Sequence, residues 1–432
     1  MFVDDSERLS ESASGPHVLV LGVGFAGLQV VLGLADRIDT LPEGTQVTAV
    51  DRSDRHTFTP LLYEVASAAV EQGSDELLRA VIDGASIPYT TLFDRMPEEV
   101  SFLQGSIEAI DTDSKKVALA DGTVLPYDIL VFALGSTSEY FGLPGVEEFG
   151  MKLKTIDDAL AIRSKLYQLV KTCCHGATAR VVVAGGGPTG VEFSAEVRSL
   201  LQMFEKKGVV KEGLVEVHLI HAGEVVLDKF HPSTSRKAMK RLQGTGVHLH
   251  LGRRVEGITE TVATLDDGSK HPFDVFVWAG GIRGQMIAKE MEGSTLTKRG
   301  TMEVSADFRV TGLSDVFAAG DAVQFLHPDT EVPVPAIAQA AQKQGELLAK
   351  NIALSLLEKP LELYDPPETW PTAVPLYGSY SLIELKHVRL SGRLGYVVRL
   401  LADLRYFMTV LPFWEALKHW GRGTRSYVKN DA

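Results

Sequence analysis

Glu192 stands two residues beyond Gly190, the last glycine of the run Gly185-Gly186-Gly187-Pro188-Thr189-Gly190. A carboxylic acid so close to a glycine-rich turn can hold or release a proton beside whatever the turn binds. The plainer alternative is an acid that complements the partial positive charge of a helix start. Upstream, Val181–Val183 is a β-branched apolar run of the kind that forms a buried parallel strand. Downstream, Val191, Ala195 and Val197 return at helical spacing. In such a strand–turn–helix, Gly185 permits the tight turn and Gly187 lets backbone N–H groups approach a pyrophosphate. Gly190 lets the helix pack closely on the strand.

A second copy lies upstream. The strand Val18–Leu21 runs into Gly22-Val23-Gly24-Phe25-Ala26-Gly27 and then the apolar helix Leu28–Leu34. A strand over Gln46–Val50 ends at Asp51, 24 residues after Gly27, where an acid can accept from the hydroxyls of a ribose. The matching strand of the later copy, Glu216–Ile220, ends at His221 instead. Val277-Trp278-Ala279-Gly280-Gly281 echoes Val131-Phe132-Ala133-Leu134-Gly135, so the architecture itself repeats.

Between and after these modules the elements that must position them are legible in outline. Phe58–Tyr63, with Pro60 at its centre, reads as a loop feeding a short helix. Phe102–Ile110 and Lys116–Leu119 read as strands with Asp121-Gly122 as a hairpin turn. Leu200–Gly213 reads as a long loop. Val316–Asp321 is a further apolar strand returning to a sheet already begun; Asp321 suits a ribityl or pyrophosphate group, or is a simple turn residue. Pro335 predicts a helix start for Ala336–Ala349, which carries Gln339 and Gln342 three residues apart. Such a helix start favours negative charge on a group placed before it.

The chain has 432 residues and a net charge of −13, a balance that argues against nucleic-acid binding. Its end differs: Lys386–Ala432 has nine Lys or Arg against three Asp or Glu. After a Pro-rich link, Tyr364–Pro371, two strands are expected over Leu376–Leu385 and His387–Leu390. From Leu394 apolar residues fall at 394, 397, 398, 401, 404, 408 and 411, one helical face. Arg405 interrupts that stripe, and Pro412 ends it before Phe413, Trp414, Leu417 and Trp420. An apolar stripe with Trp and basic residues fits a helix lying in a membrane interface; a dimer interface is the competing reading. No apolar run reaches the length of a membrane span. The acidic, Ser-rich residues 1–16 read as a disordered tail. Cys173 and Cys174, the only cysteines, lack redox or metal-ligand spacing and read as buried structural thiols in a reducing cytosol. No metal is expected.

Taken together, VDRSDRHTFTPLLYEVASAAV, VVAGGGPTGVEF, VWAGGIRG, VFAAGDAV and AIAQAAQKQG resemble a type II NADH dehydrogenase, a single-chain, FAD-containing NAD(P)H:quinone oxidoreductase. The resemblance implies an α/β fold of two dinucleotide-binding, Rossmann-like domains with a small C-terminal hairpin and amphipathic-helix region. The implied boundaries are 17–150 and 286–363 for FAD, 151–285 for NAD(P)H, and 364–432 for membrane association or dimerisation. It implies FAD contacts from Gly22, Gly24, Phe25, Ala26, Gly27, Asp51, Arg52, Pro60, Ile107, Gly135, Asp321, Val323 and Gln339. Nicotinamide-nucleotide contacts are implied for Gly185, Gly187, Pro188, Thr189, Gly190, Glu192, His221 and Gly280. Glu192 becomes the carboxylate near the flavin, and Gln339 and Gln342 line a quinone pocket. The implied partners are quinone, a membrane surface on the cytoplasmic side and a second copy of the chain. His221 departs from the pattern, since NADH-preferring members carry an acid there; its loss opens the site to NADPH, while Glu224 is a replacement acid. Rival readings are a soluble reductase of a small redox protein and a non-enzymatic NAD(H)-responsive binding protein.

Overall fold

The computed structural model describes residues 15–68, 75–173 and 176–428. Residues 1–14 and Cys174 lie outside that range, and with them most of the tail and one of the two thiols; Cys173 is buried. The chain divides into two compact units, each assembled from separated stretches. The first takes residues up to His56, Ile87–Thr137 and Arg283–Glu368; the second takes Thr57–Ser86, Ser138–Ile282 and Thr369–Ala432.

The first unit is built on a five-stranded parallel sheet. His17–Leu21 lies between Gln46–Asp51 and Ile129–Phe132, with Val316–Ala318 and Val100–Gln104 outermost. Parallel strands are covered on both faces, which is why these runs are apolar rather than alternating; Val18, Leu19, Val20 and Leu21 are all fully buried. One face packs on a three-stranded antiparallel meander, Ile107–Asp111, Lys116–Leu119 and Val124–Pro126. The other holds the helices Phe25–Ala35 and Ala338–Leu356 against each other. Their close approach requires glycine. A Cβ at Gly33 would lie 2.6 Å from the Ala349 methyl, and one at Gly345 would lie 2.3 Å from the Ala26 carbonyl oxygen.

The second unit repeats that plan. Its parallel sheet runs Met151–Lys152, Val275–Trp278, Ala179–Ala184, Val215–His221, Val247–Leu251. A meander, Val255–Ile258, Val262–Leu265 and Lys270–Pro272, covers one face through Val255, Ile258, Ala263 and Leu265. The same unit holds a three-stranded sheet, Thr372–Pro375, Ser381–Glu384 and Arg389–Gly392, and the final helices Arg393–Val410 and Phe413–Val428. Those helices clasp each other: the Trp420 indole N–H donates to the Leu400 carbonyl at 2.8 Å.

Four expected elements differ. Phe102–Ile110 is two strands, because the chain leaves the parallel sheet at Gly105-Ser106 to begin the meander; Gly105 is pressed on Leu119, 2.7 Å from a would-be Cβ. The first half of Leu200–Gly213 is helix: Pro188–Lys206 runs into it, pinned by a two-pronged ion pair from Arg198 to Glu205 at 2.9 and 3.1 Å, and only the residues after Lys206 form the loop. The C-terminal strands number three, with Leu376–Tyr380 as a turn between the first two. The helix expected from Ala336 begins at Ala338, so Pro335 precedes it and does not occupy its first turn.

Candidate active site

In a parallel sheet the loops after the carboxyl ends of the strands gather along one edge. In the first unit that edge carries Gly22, Asp51, Gly135 and Asp321. Gly22 has φ +88°, and a Cβ there would lie 2.5 Å from the Ala133 carbonyl oxygen. A Cβ on Gly27 would lie 1.9 Å from the Gly22 carbonyl oxygen. Both glycines are required by the protein itself. Gly24 is different: its backbone is extended, with φ −71°, and nothing lies within 4 Å of its missing Cβ. Nothing in the protein demands glycine there, which leaves the backbone at the helix start open to the approach of a group such as a pyrophosphate.

The turn is held from below. Asp51 Oδ2 accepts from the Val23 N–H at 2.8 Å and Oδ1 from the Ser53 N–H at 2.9 Å, which pins the carboxylate at the strand end. The Val23 carbonyl accepts from the Tyr89 hydroxyl at 2.9 Å and from His56 Nδ1 at 3.0 Å. Burial holds the His56 pKa down at about 4, so its ring is neutral and bears its proton on Nδ1. Ser136 donates to Asp321 Oδ2 at 3.0 Å, tying Asp321 to the turn after Gly135. Phe25 meets the His56 ring edge-on and Ala26 is buried. Ile107 opens the meander, Val323 is half-buried and Arg52 exposed.

The second cradle repeats the glycine geometry. Gly185 has φ +123° with the Ala279 carbonyl oxygen 2.2 Å from a would-be Cβ; Gly190 meets the Gly185 carbonyl at 1.9 Å; Gly187 again has open space. Pro188 opens the helix and Thr189 is exposed beside it. Gly280 is packed beneath the Trp278 ring. At the strand end His221 Nδ1 accepts from the Gly186 N–H at 3.1 Å.

Glu192 lies on the first turns of this helix. Burial pushes its pKa up to about 8, against the pull of the Arg399 cation and helped by Asp403. A carboxyl in that range is protonated through neutral pH. Arg399, on the helix Arg393–Val410, is buried at the hub of an acidic group. Its Nη2 donates to the Tyr63 hydroxyl at 2.7 Å, its Nε lies 3.2 Å from Asp403 Oδ2, and its Nη1 lies 3.7 Å from Glu64 Oε1. Burial raises the Asp403 pKa to about 6 even with that cation beside it. One buried guanidinium thus pairs with Asp403 and Glu64 and pulls on Glu192, where burial outweighs that pull. Glu64 and Tyr63 belong to the short helix Leu62–Ala66 after Pro60.

Residues 16–345 match the pyridine nucleotide-disulphide oxidoreductase family. A type II NADH:quinone oxidoreductase of Staphylococcus aureus is 30% identical over 346 residues, 78% of this chain and 81% of the relative. This chain belongs to the type II NADH:quinone oxidoreductase family. A member from Staphylococcus saprophyticus is 28% identical over 360 residues, covering 81% of this chain and 84% of its own. In fold, the chain is similar to NDH2 of Plasmodium falciparum solved with NADH, with a TM-score of 0.80 at 17% identity over 96% of this chain and 99% of that one. The sulfide:quinone oxidoreductase of Aquifex aeolicus gives 0.73 at 18% identity, over 94% and 92%.

Within this family frame, Gln339 is exposed and Gln342 half-buried on the helix Ala338–Leu356. The glutamine that sequence reasoning passed over is Gln344, buried, whose Oε1 accepts from the Gly320 N–H at 2.7 Å beside Asp321. Arg399 was overlooked as well, counted among the basic residues of the tail. Its signal was the Arg399–Asp403 spacing of four on a helix. The stripe through 394, 397, 401 and 408 faces solvent, with Arg405 exposed on it, while the face bearing Arg399 is buried. Among the described residues no set of three His, Cys, Asp or Glu side chains could hold a metal, and no helix is long and apolar enough to cross a membrane.

Proposed function

We propose that the first cradle holds FAD, that the second receives the nicotinamide nucleotide, and that the chain passes two electrons from NADH to a quinone. Bound FAD supplies the two-electron relay between hydride donor and quinone. The chain's own residues do the rest. Gly22 and Gly27 shape the turn and Gly24 admits the pyrophosphate, with Asp51 positioned for the adenosine ribose and Asp321 for the ribityl end. Gly185, Gly187 and Gly190 do the same for the nicotinamide nucleotide.

Quinone reduction consumes two protons, and the observation that carries this reading is Glu192, a carboxyl that keeps its proton through neutral pH at the head of the nucleotide helix. Glu192 holds that proton on its carboxyl oxygen. Arg399 orients the surrounding acids and favours their ionised forms, while burial is what holds the proton on Glu192. Glu192→Gln is expected to slow the quinone half-reaction ten- to a hundredfold, leaving FAD content and reduction by NADH unchanged, and to remove the loss of rate near pH 8. Unchanged quinone turnover at every pH removes Glu192 from the role.

The exposed stripe of Leu394, Val397, Leu401, Met408, Phe413 and Trp414, with Arg393, Arg405, Lys418 and Arg422 around it, supports seating on the cytoplasmic face of an anionic membrane. Co-flotation with anionic vesicles, lost in Leu401→Glu, is the expected result. A protein that stays with the soluble fraction but dimerises through the same residues assigns the stripe to a second copy instead.

A further inference from the structure

Four histidines of the second unit meet where its meander overlies the two outer strands of the parallel sheet. Glu216 and His218 on Val215–His221, and His248 and His250 on the edge strand Val247–Leu251, alternate onto one face, with His218 in register with His248. Ile220 shares that face and belongs to the core that the meander closes through Val255, Ile258 and Ala263. His271, paired with Ala263 on the meander, reaches the group from the other side. The His218 ring stacks on His248 with centroids 4.8 Å apart and on His250 at 5.2 Å, and His250 meets His271 edge-on at 4.7 Å. Packing a meander on a sheet asks only for apolar side chains, which Val182 and Ile220 supply in the same core.

The hydrogen bonds fix where the lone pairs lie. Arg180 Nε donates to Glu216 Oε2 at 2.8 Å, and the same oxygen lies 3.3 Å from His218 Nε2. A carboxylate can only accept, so the His218 proton sits on Nε2 and its Nδ1 keeps a lone pair. That lone pair faces His250 Nε2 at 3.0 Å. A carboxylate behind an imidazole is the outer support that histidine metal ligands commonly have. Burial lowers the pKa of His218, and burial together with the neighbouring rings takes that of His250 to about 4. Both rings are therefore neutral at pH 7, the form that ligates. With metal–nitrogen bonds of about 2.0–2.1 Å, two nitrogens 3.0 Å apart subtend about 95° at one ion, near the right angle of tetragonal Cu²⁺ or Ni²⁺. His248 is exposed and His250 half-buried, so solvent reaches the pair.

We infer that His218 Nδ1 and His250 Nε2 form a two-nitrogen seat for one divalent transition ion of the Cu²⁺, Ni²⁺ or Zn²⁺ kind, with Glu216 as the positioning residue. Among the described residues no third side chain converges on that point, so water completes the shell and the ion exchanges with solvent. On binding, the His250 proton moves from Nε2 to Nδ1 and the ion replaces the hydrogen bond between the rings. The ion then ties the edge strand to its neighbour, which stabilises the folded second unit by mass action. Calorimetry of the FAD-loaded protein at pH 7.5 with Cu²⁺ and Ni²⁺ salts tests this without turnover, so its failure leaves the function proposed above untouched. One equivalent of Cu²⁺ is expected to bind with a dissociation constant of about 10 μM or tighter, and Ni²⁺ more weakly. The electron paramagnetic resonance signal of bound Cu²⁺ is expected to show coupling to two imidazole nitrogens. His218→Gln and His250→Gln are each expected to weaken Cu²⁺ about tenfold or more while the flavin is retained, since each removes one of two ligands. Glu216→Ala keeps both rings and is expected to weaken it about tenfold through lost support, which keeps the inference testable if the histidine variants do not fold. His387→Gln, at an exposed position outside the group, is expected to change nothing. Binding weaker than about 10 μM in the unaltered protein overturns the inference. So does binding of equal strength in the His218, His250 and Glu216 variants, which marks an adventitious ion only, or a Cu²⁺ signal without nitrogen coupling.

Discussion

The first and second cradles share a backbone and differ in their chemistry. Gly27 and Gly190 each bring a would-be Cβ to 1.9 Å from the carbonyl of the glycine that opens the turn, and Gly24 and Gly187 each face open space. Two residues after the last glycine the copies part: Gln29 is a buried amide, whereas Glu192 is an acid with a pKa near 8. The strand ends part too, carboxylate against imidazole. What is held fixed is the geometry that brings phosphates to a helix start. What varies is the side chain beside each turn, and on the proposed reading it makes one copy the cofactor holder and the other the place where substrate and proton meet.

The largest effect that can separate them is loss of one cradle at a time. Gly27→Val forces a clash with backbone, which has nowhere to move, so the purified protein is expected to be colourless, with FAD affinity down more than about a hundredfold. Gly190→Val is expected to stay yellow and lose reduction by NADH. If both variants lose FAD equally, the two cradles do not divide the work.

Next in size is the hub behind Glu192. Arg399→Met leaves Glu64 and Asp403 buried without their cation, a change worth on the order of 3–5 kcal/mol in stability; thermal unfolding measures it. Arg399→Lys is expected to recover part of that loss. A Met variant as stable as the unaltered protein contradicts the ion-pair geometry.

The smallest effect sets the cradles apart by pH. His56 has a folded-state pKa of about 4, below its unfolded value of 6.5. Its contribution is therefore whole above pH 6.5 and is lost as pH falls toward 4, on the order of 3 kcal/mol over that window. Flavin fluorescence should report release from the first cradle on acidification, and His56→Gln should flatten that limb. The second cradle responds at the opposite end. Glu192 has its folded pKa above the unfolded one, so burying it costs progressively more stability as pH rises from 4.5 through 8. Flavin release independent of pH between 4 and 6.5 contradicts the His56 contact.

How much of this could be read from the chain alone follows from the range of each interaction. The cradles were legible because the spacing of glycines within each turn states them directly, although Gly22 and Gly185 close on Ala133 and Ala279 far along the chain. The acidic hub was not. Tyr63 and Arg399 meet across 336 positions, and Arg399 on its own is one more cation in a basic tail. The reach of Pro188–Lys206 had a signal that went unused: Val197, Leu200, Leu201 and Phe204 continue the apolar spacing of the helix, Phe204 packing on Tyr167, and the Arg198–Glu205 pair adds to it. The terminal helix stripe was found, but the burial of the opposite face, which carries Arg399, was not, since hydropathy ranks an arginine as exposed until its partners are known.

A single anaerobic experiment decides whether the two cradles work in series. Protein carrying FAD is mixed with one equivalent of NADH and then with excess quinone, and the visible flavin band is followed throughout. The band is expected to bleach with the first addition and to return with the second. A band that bleaches and stays bleached with every quinone offered, or a protein that binds no FAD, contradicts the assignment.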